Sequence, residues 1–342
     1  MLALFIIAIF LANVSNTVVV IANSAYDPWD HDSDPKTPDV DTNGWTISGE
    51  VVLDKDLYFN GDGLTIDGDG SNLNLNGHCI VGMGFGIGIK IVGKGAVIID
   101  GGEVCDFEKG IYLENSHNIF ISNMVVRGNN QGIYLLYSGQ NKIDSNIIKE
   151  NNDGMWGGAC DQNVIRGNLI QENIRDGIQL ISCSDNLIGG NCIEGNGRHG
   201  IKLEGGEGIP SANNQAISNS LSKNKNGLYL MNKALDNMIE SNSISKNDFG
   251  IQFDASVLDP LNNVIRGNVI CKNDIGVRLA DKPHNNRVVM NSIFDNKEWG
   301  VMANSVTIAN FNWWGDEEGP IVGEDVTDDV IFTPWLEWKT IG

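Results

Sequence analysis

Gly132-Ile133-Tyr134-Leu135, followed by Asn141-Lys142-Ile143-Asp144-Ser145-Asn146-Ile147-Ile148-Lys149-Glu150-Asn151-Asn152-Asp153-Gly154, is one period of a sentence that this chain repeats. Apolar and polar residues alternate over three or four positions, and Asn or Gly breaks each run, which is the pattern of short strands joined by turns. Working outward, the Gly-aliphatic phrase recurs at Gly86, Gly110, Gly132, Gly154, Gly177, Gly200, Gly227, Gly250, Gly276 and Gly300. The spacing is 22 to 24 residues, with two longer steps of 27 and 26. A period in this range means stacked units rather than a single globular core.

Three Asn phases accompany each Gly: one opening an Asn-x-Ile/Val phrase (Asn141, Asn163, Asn186, Asn237, Asn263), one five residues on (Asn146, Asn168, Asn191, Asn219, Asn242, Asn268, Asn291), and one before the next Gly (Asn151, Asn173, Asn196, Asn224, Asn247, Asn273, Asn296). Three strands per period, with Ile, Leu and Val inward, predict an all-β, single-stranded right-handed parallel β-helix. It should have roughly eleven or twelve three-strand coils, capped at both ends and stacked ~4.8 Å apart. The Asn residues are expected to take left-handed turn conformations and to hydrogen-bond along the stack. A leucine-rich repeat, the main rival, has one strand and one Asn per repeat and a Leu interior, which this sequence lacks.

The chain is long for one globular domain, at 342 residues, but a solenoid grows without limit because each coil touches only its neighbours. Residues 1–24 read as a signal peptide or N-terminal anchor: Met1 to Ala22 is almost wholly apolar, lacks Lys and Arg, and precedes a small-residue cleavage pattern at Ala22-Asn23-Ser24. A secreted, periplasmic or cell-surface protein with no stable membrane span after cleavage follows from that reading. Residues 25–44 form an acidic linker. Within it Asp30-His31-Asp32-Ser33-Asp34 resembles half a calcium loop, but Pro35 stands where such a loop needs Gly, so calcium is possible rather than expected. Residues 45–310 carry the β-helix, and residues 311–342 a Trp-rich cap that should close the open core.

A net charge of −21 argues against nucleic acid as a partner, which needs a basic face. It also makes an anionic polysaccharide a hard partner unless a basic groove or bound Ca²⁺ compensates locally. The five His and eight Met are scattered, and none of the six Cys has zinc-finger spacing, so no metal site or cofactor is expected. Cys160 and Cys183 each sit six residues after a coil Gly and should stack on adjacent coils, within reach of a disulfide or as two small turn residues.

Strand alternation maps the surface. In Gly-Ile-x-Leu the x residue points outward, giving Tyr112, Tyr134, Trp156, Gln179, Lys202, Tyr229, Gln252 and Arg278 as a stripe along the axis. Aromatic faces suit sugar rings, and amides and cations suit hydroxyls and carboxylates. Cross-coil stacking alone also accounts for exposed aromatics. The residue before Gly is Asp153, Asp176 and His199 on three consecutive coils, and Glu204 follows one strand. Asp153, Asp176, His199 and Lys202 are therefore the candidate acid–base cluster. Two carboxylates could hydrolyse a glycosidic bond. Alternatively His199 or Tyr229 could abstract a proton from a uronate steadied by Lys202 or Arg278. Longer turns after Leu203 and Phe253 leave from the same side of the stripe.

Leu75-Asn76-Gly77-His78, the repeated Gly-Ile-x-Leu…Asn-x-Ile-x-x-Asn, and the Asn312-Trp313-Trp314-Gly315…Gly319-Pro320…Pro334-Trp335-Leu336 ending together resemble the right-handed parallel β-helix repeat proteins. That group includes NosD-type periplasmic proteins, microbial surface proteins and the carbohydrate-binding and sugar-hydrolase domains. The resemblance implies the fold, and it spans lyases, hydrolases, uronate epimerases and non-catalytic surface modules. The expected function is engagement of a polysaccharide or cell-surface glycan along the middle coils. A polysaccharide lyase, epimerase or hydrolase is the alternative, and a NosD-type periplasmic accessory the third.

Overall fold

The computed structural model describes residues 40–338 except 96, 256–257 and 280–284, together with the backbone of a strand at Thr17–Val19 that pairs in parallel with Glu50–Val52. The rest of the leader, the acidic segment before residue 40 with His31, and His284 lie outside the described residues.

The described residues contain no helix; they wind into a right-handed parallel β-helix of about 12 turns. One sheet, here the front sheet, has 12 parallel strands, one per coil, from Trp45–Ile47 to Trp299–Ala303. The two other strands of each coil merge into a second sheet, because Ile98–Cys105 and Phe120–Arg127 run unbroken across both phases. Within each strand the alternation set by the sequence puts one aliphatic column inside: Ile111, Ile133, Met155, Ile178 and Ile201 stack with no solvent exposure. Each such side chain contributes about 1.5–3 kcal/mol by burial.

The three Asn phases form three internal ladders. In one, Asn168 Oδ1 accepts from both the backbone N–H and the Nδ2 of Asn146, at 2.9 and 3.0 Å. Asn168 Nδ2 in turn donates to Asn191 Oδ1 at 2.9 Å and to Ile143 O at 3.0 Å. Every rung is therefore saturated, which is what lets amides lie buried beside a hydrocarbon core. The ladders open on apolar residues at the same phase: Phe107, Ile119 and Met124 donate only their backbone N–H to Asn129, Asn141 and Asn146.

The left-handed turn conformation does not fall on the ladder Asn, as expected from sequence, but on the residue before it. Ser145, Glu150, Gly167 and Glu172 have φ of 59°, 56°, 63° and 55°. The turn bends there so that the following side chain points inward, and a ladder Asn is selected for its amide rather than its backbone freedom.

The repeat glycines also shift register at one end. Ile87 pairs with Lys109 and Ile89 with Ile111, so the rung equivalent to Gly110 is Gly88, not Gly86. The column reaches back through Gly63. A Cβ at any rung from Gly63 to Gly276 would lie 2.4 to 2.7 Å from the carbonyl oxygen of the next Gly, so the coils close up only without one. At the far end Trp314 is buried against the last coil near Gly300, whereas Trp338 stays 69% exposed.

Candidate functional site

The front sheet brings the expected stripe into one column. Register pairs Tyr112 with Tyr134, Tyr134 with Trp156, Trp156 with Gln179, Gln179 with Lys202, Lys202 with Tyr229, Tyr229 with Gln252, and Gln252 with Arg278. The same column includes Thr46, Thr65, Lys90 and Met302 in the first and last coils.

The aromatic part of the column is largely occupied with itself. Tyr134 and Trp156 stack at 4.4 Å with an interplanar angle of 12°, and Tyr112 tilts onto Tyr134 at 5.5 Å. Lys109 Nζ sits 5.2 Å from the Tyr134 ring centre, and Tyr112 donates its hydroxyl to Glu114 at 2.8 Å. Trp156 lies over Gly158, where a Cβ would strike the indole at 2.4 Å. These rings face one another along the axis and show mainly their edges to solvent, as cross-coil stacking requires.

The residue before each Gly forms a second column on the same face. Backbone bonds from Gly154 to Asp176 and from Gly177 to His199 stack Asp153, Asp176 and His199 on three coils, and His199 pairs with Asn226 on the next. All four side chains are buried, with Asp176 completely so. Asp153 is engaged: it takes Arg175 Nη1 at 3.2 Å and the backbone N–H of Asp176 at 3.4 Å. Asp176 Oδ1 accepts the N–H of His199 at 3.2 Å, and Oδ2 has no partner. His199 Nδ1 has none either, and neither has Asn226 Oδ1, although Asn226 Nδ2 donates to Gln252 Oε1 at 2.8 Å. Three consecutive rungs thus each carry one unpaired buried polar atom.

Electrostatics follow from this burial. Desolvation raises the Asp176 carboxyl above its ordinary value, against the pull of Arg198 and Lys202. Burial, with Lys202, Arg198 and Lys225 around it, pushes His199 down to about 3, so it is a neutral imidazole near pH 7. Tyr229 stacks flat on His199 at 4.4 Å and 16° and donates its hydroxyl to Asp254 at 3.2 Å. Burial and Asp254 push that phenol up to about 12, so at neutral pH it keeps its proton. Lys202 pairs with Glu204 at 2.8 Å, while Arg278 rests over Phe249 at 5.5 Å.

The structure therefore gathers Asp176, His199, Lys202, Glu204, Tyr229 and Gln252 into one patch, commits Asp153 to Arg175, and leaves Tyr112 and Tyr134 several coils away. Sequence reasoning missed Arg175, Arg198, Lys225 and Asn226. Their signal was present one and two residues before Gly177, Gly200 and Gly227. The long turn after Leu203 folds back onto the preceding coil, with Gly206 donating to Ser182 Oγ at 3.0 Å and Ser182 Oγ donating to Ile209 O at 3.3 Å. The second long turn also leaves the C-terminal end of a front-sheet strand, Phe249–Asp254.

On the neighbouring turn Cys160 and Cys183 continue a hydroxyl column formed by Ser116 and Ser138. Their thiols lie 2.8 Å apart, and both are completely buried or nearly so.

Comparison with known proteins adds the family. A model described as periplasmic copper-binding protein (NosD) matches residues 43–220, about half the chain, and one for the right-handed β-helix region matches 176–312. No curated protein matches the sequence. Among solved structures the Dettilon tailspike protein superposes with TM-score 0.67 at 16% identity, over 78% of this chain and 61% of that one. A variant of the periplasmic alginate epimerase AlgG gives 0.62 at 13%, over 86% and 78%. The A-module of the Azotobacter vinelandii mannuronan C-5 epimerase AlgE6 gives 0.55 at 16%, over 86% and 89%. At these identities the likeness is one of fold.

Among the described residues the donor set does not fit copper. No group of three or more His, Cys, Asp or Glu converges among the described residues. Cys160 and Cys183 place two soft donors on adjacent coils, with no third His, Cys, Asp or Glu completing a set among the described residues. No helix among the described residues is long and apolar enough to cross a membrane. By the half of its length that matches the family model, and by its coils, this chain belongs to the NosD family of right-handed parallel β-helix proteins.

Proposed function

We propose that this protein is an exported β-helix that binds an extracellular glycan across the middle coils of its front sheet. The observation that carries the reading is the run of unpaired atoms, Asp176 Oδ2, His199 Nδ1 and Asn226 Oδ1, on three consecutive rungs. A folded protein rarely leaves buried polar atoms unpaired, because each costs about 1–3 kcal/mol, and such a run is best explained by a partner that arrives on binding. Two of the three are acceptors, so the partner brings hydroxyl donors, and a sugar chain supplies them at short, regular intervals. Gln179, Lys202 and Gln252 beside them add amide and ammonium groups. The atoms are shielded in this conformation, and Tyr229 lies across His199, so binding entails a shift of covering side chains. Polysaccharide-related neighbours among the superposed structures, and the periplasmic description of the family, support both the glycan and the export.

The second reading, a polysaccharide-acting enzyme, rests on one feature. His199 carries an unpaired ring nitrogen beside the unpaired Oδ2 of Asp176, the two group types that proton transfer on a sugar calls on, and it can act as a base only where bound ligand raises its proton affinity from about 3. Incubating the purified protein with neutral and uronic-acid polysaccharides tests both. Binding without new reducing ends, unsaturated products or inverted sugars supports a binding protein, and turnover lost in His199→Ala supports the enzyme. Failure to bind any polymer would end the glycan reading.

A further inference from the structure

A third column flanks the unpaired rungs. Backbone bonds from Arg175 to Asn152, from Arg198 to Arg175, from Asn226 to Arg198 and from Phe249 to Lys225 stack Arg175, Arg198 and Lys225 on three consecutive coils. The run is sharply bounded: Asn152 precedes it and Asp248 follows it. In a chain of net charge −21 a block of cations on adjacent rungs runs against the general composition. It also coincides with the coils that carry Asp176, His199 and Asn226.

The three cations are not equivalent. Arg175 is held by Asp153 at 3.2 Å. Arg198 and Lys225 are exposed and make no ion pair among the described residues. Lys202, on the neighbouring column, is tied to Glu204. The patch therefore presents two free cations, about one coil or ~4.8 Å apart, beside a row of buried hydroxyl acceptors.

We infer that this patch is a subsite for an acidic glycan, a sugar chain whose residues carry both hydroxyls and a carboxylate or sulfate, held over the coils of Gly177 to Gly227. The inference rests on the glycan reading above and deepens it. A neutral glycan satisfies the unpaired acceptors and leaves Arg198 and Lys225 with nothing to do. A simple anion satisfies the cations but brings too few donors for Asp176 Oδ2 and Asn226 Oδ1. Only a ligand with both groups answers both columns. The overall negative field repels such a chain elsewhere on the surface, so recognition is confined to these coils and register along the polymer is set by the boundary at Asp248.

The test uses the whole protein and immobilised polymers: polygalacturonate for carboxylates, dextran sulfate for sulfates and dextran as the neutral polymer. The Arg198→Gln/Lys225→Gln variant is compared with Lys55→Gln/Arg287→Gln, which makes the same change in net charge at exposed positions remote from the patch, one in the first coils and one on the second sheet. We expect at least one acidic polymer to bind, with affinity falling about tenfold in the first variant and little in the second, and falling again as salt is raised. Whichever acidic polymer binds identifies the anionic group. Equal binding of dextran and the acidic polymers, or equal weakening by both variants, overturns the acidic subsite and leaves glycan binding standing. Absence of binding to all three polymers overturns the subsite and the glycan reading together.

Discussion

The Asn168–Asn191–Asn219 ladder and the Asp176–His199–Asn226 column run through the same coils of the same fold. Both are buried and both are polar. In the first, every amide oxygen takes two donors and every amide nitrogen finds acceptors on both sides. In the second, each rung leaves one atom unpaired. The inner ladder is what a coil needs in order to stack: one residue type, repeated, solves the same hydrogen-bonding problem at every step. The outer column uses three different side chains on three successive steps, and stacking alone does not call for any of them. The difference separates residues that hold the solenoid together from residues that the solenoid carries.

The largest effect that sharpens this contrast is expected from the inner ladder. Asn191→Ala strips the acceptor from the backbone and side chain of Asn168 and the donor from Ile165 O and Asn219 Oδ1. It should cost about 4 kcal/mol in denaturant unfolding, since it leaves several buried groups unpaired. A loss below about 1 kcal/mol would mean that the ladder is not the scaffold.

Acidification should act next, through His199. Its folded-state value lies near 3 against 6.5 for the free side chain, so the unfolded chain takes up a proton first as pH falls. The neutral ring's contribution is therefore complete above pH 6.5 and is lost as pH drops toward 3, amounting to about 2 kcal/mol by pH 5 at 1.4 kcal/mol per unit. His199→Asn, which repeats the residue on the next rung, should remove that part of the slope in a pH series of melting curves.

Asp176→Asn should move stability the other way. The amide keeps an acceptor for the His199 N–H and removes a carboxylate that burial penalises. A gain of about 1 kcal/mol at pH 7 is expected, shrinking as pH falls through the raised folded-state value, where the native carboxyl is protonated anyway. Glycan binding should weaken in the same variant. A gain in stability with a loss of binding is the signature of a functional position. Destabilisation with binding intact would place Asp176 with the scaffold.

The smallest effect is expected on the thiol column. Cys183 accepts from the Cys160 N–H at 3.2 Å and donates to Ile181 O at 3.2 Å. Ser138 does the same for Ser116 and Leu136. Cys183→Ser should therefore melt within about 1 kcal/mol of the parent under reducing conditions.

Most of the fold was legible in the sequence because a solenoid writes its structure as a period. The coil count and the outward column from Tyr112 to Arg278 follow from the Gly-Ile-x-Leu spacing, and three strands per coil from the three Asn phases. What the period could not give was local. The left-handed residue precedes each ladder Asn, since the demand there is on the turn, and Ser145, Glu150 and Lys246 fill it as readily as Gly167. Gly86 mimics the repeat glycine, but register belongs to Gly88, which only strand pairing reveals. In the candidate site the aligned residues could be read from the spacing, but their partners could not. That Asp153 is taken by Arg175, that Tyr134 and Trp156 are stacked face to face, and that Asp176 Oδ2 is left alone depend on side-chain direction within a rung.

The most direct test of the central claim is carbon–proton NMR of the His199 ring, assigned with His199→Asn, during titration with the tightest-binding oligosaccharide of the polymer panel. Saturable movement of the His199 signals, with little change at His78 and His117, is predicted, because the ligand completes the unpaired rungs. Saturable binding that leaves the His199 signals in place would contradict the account and return these rungs to the scaffold.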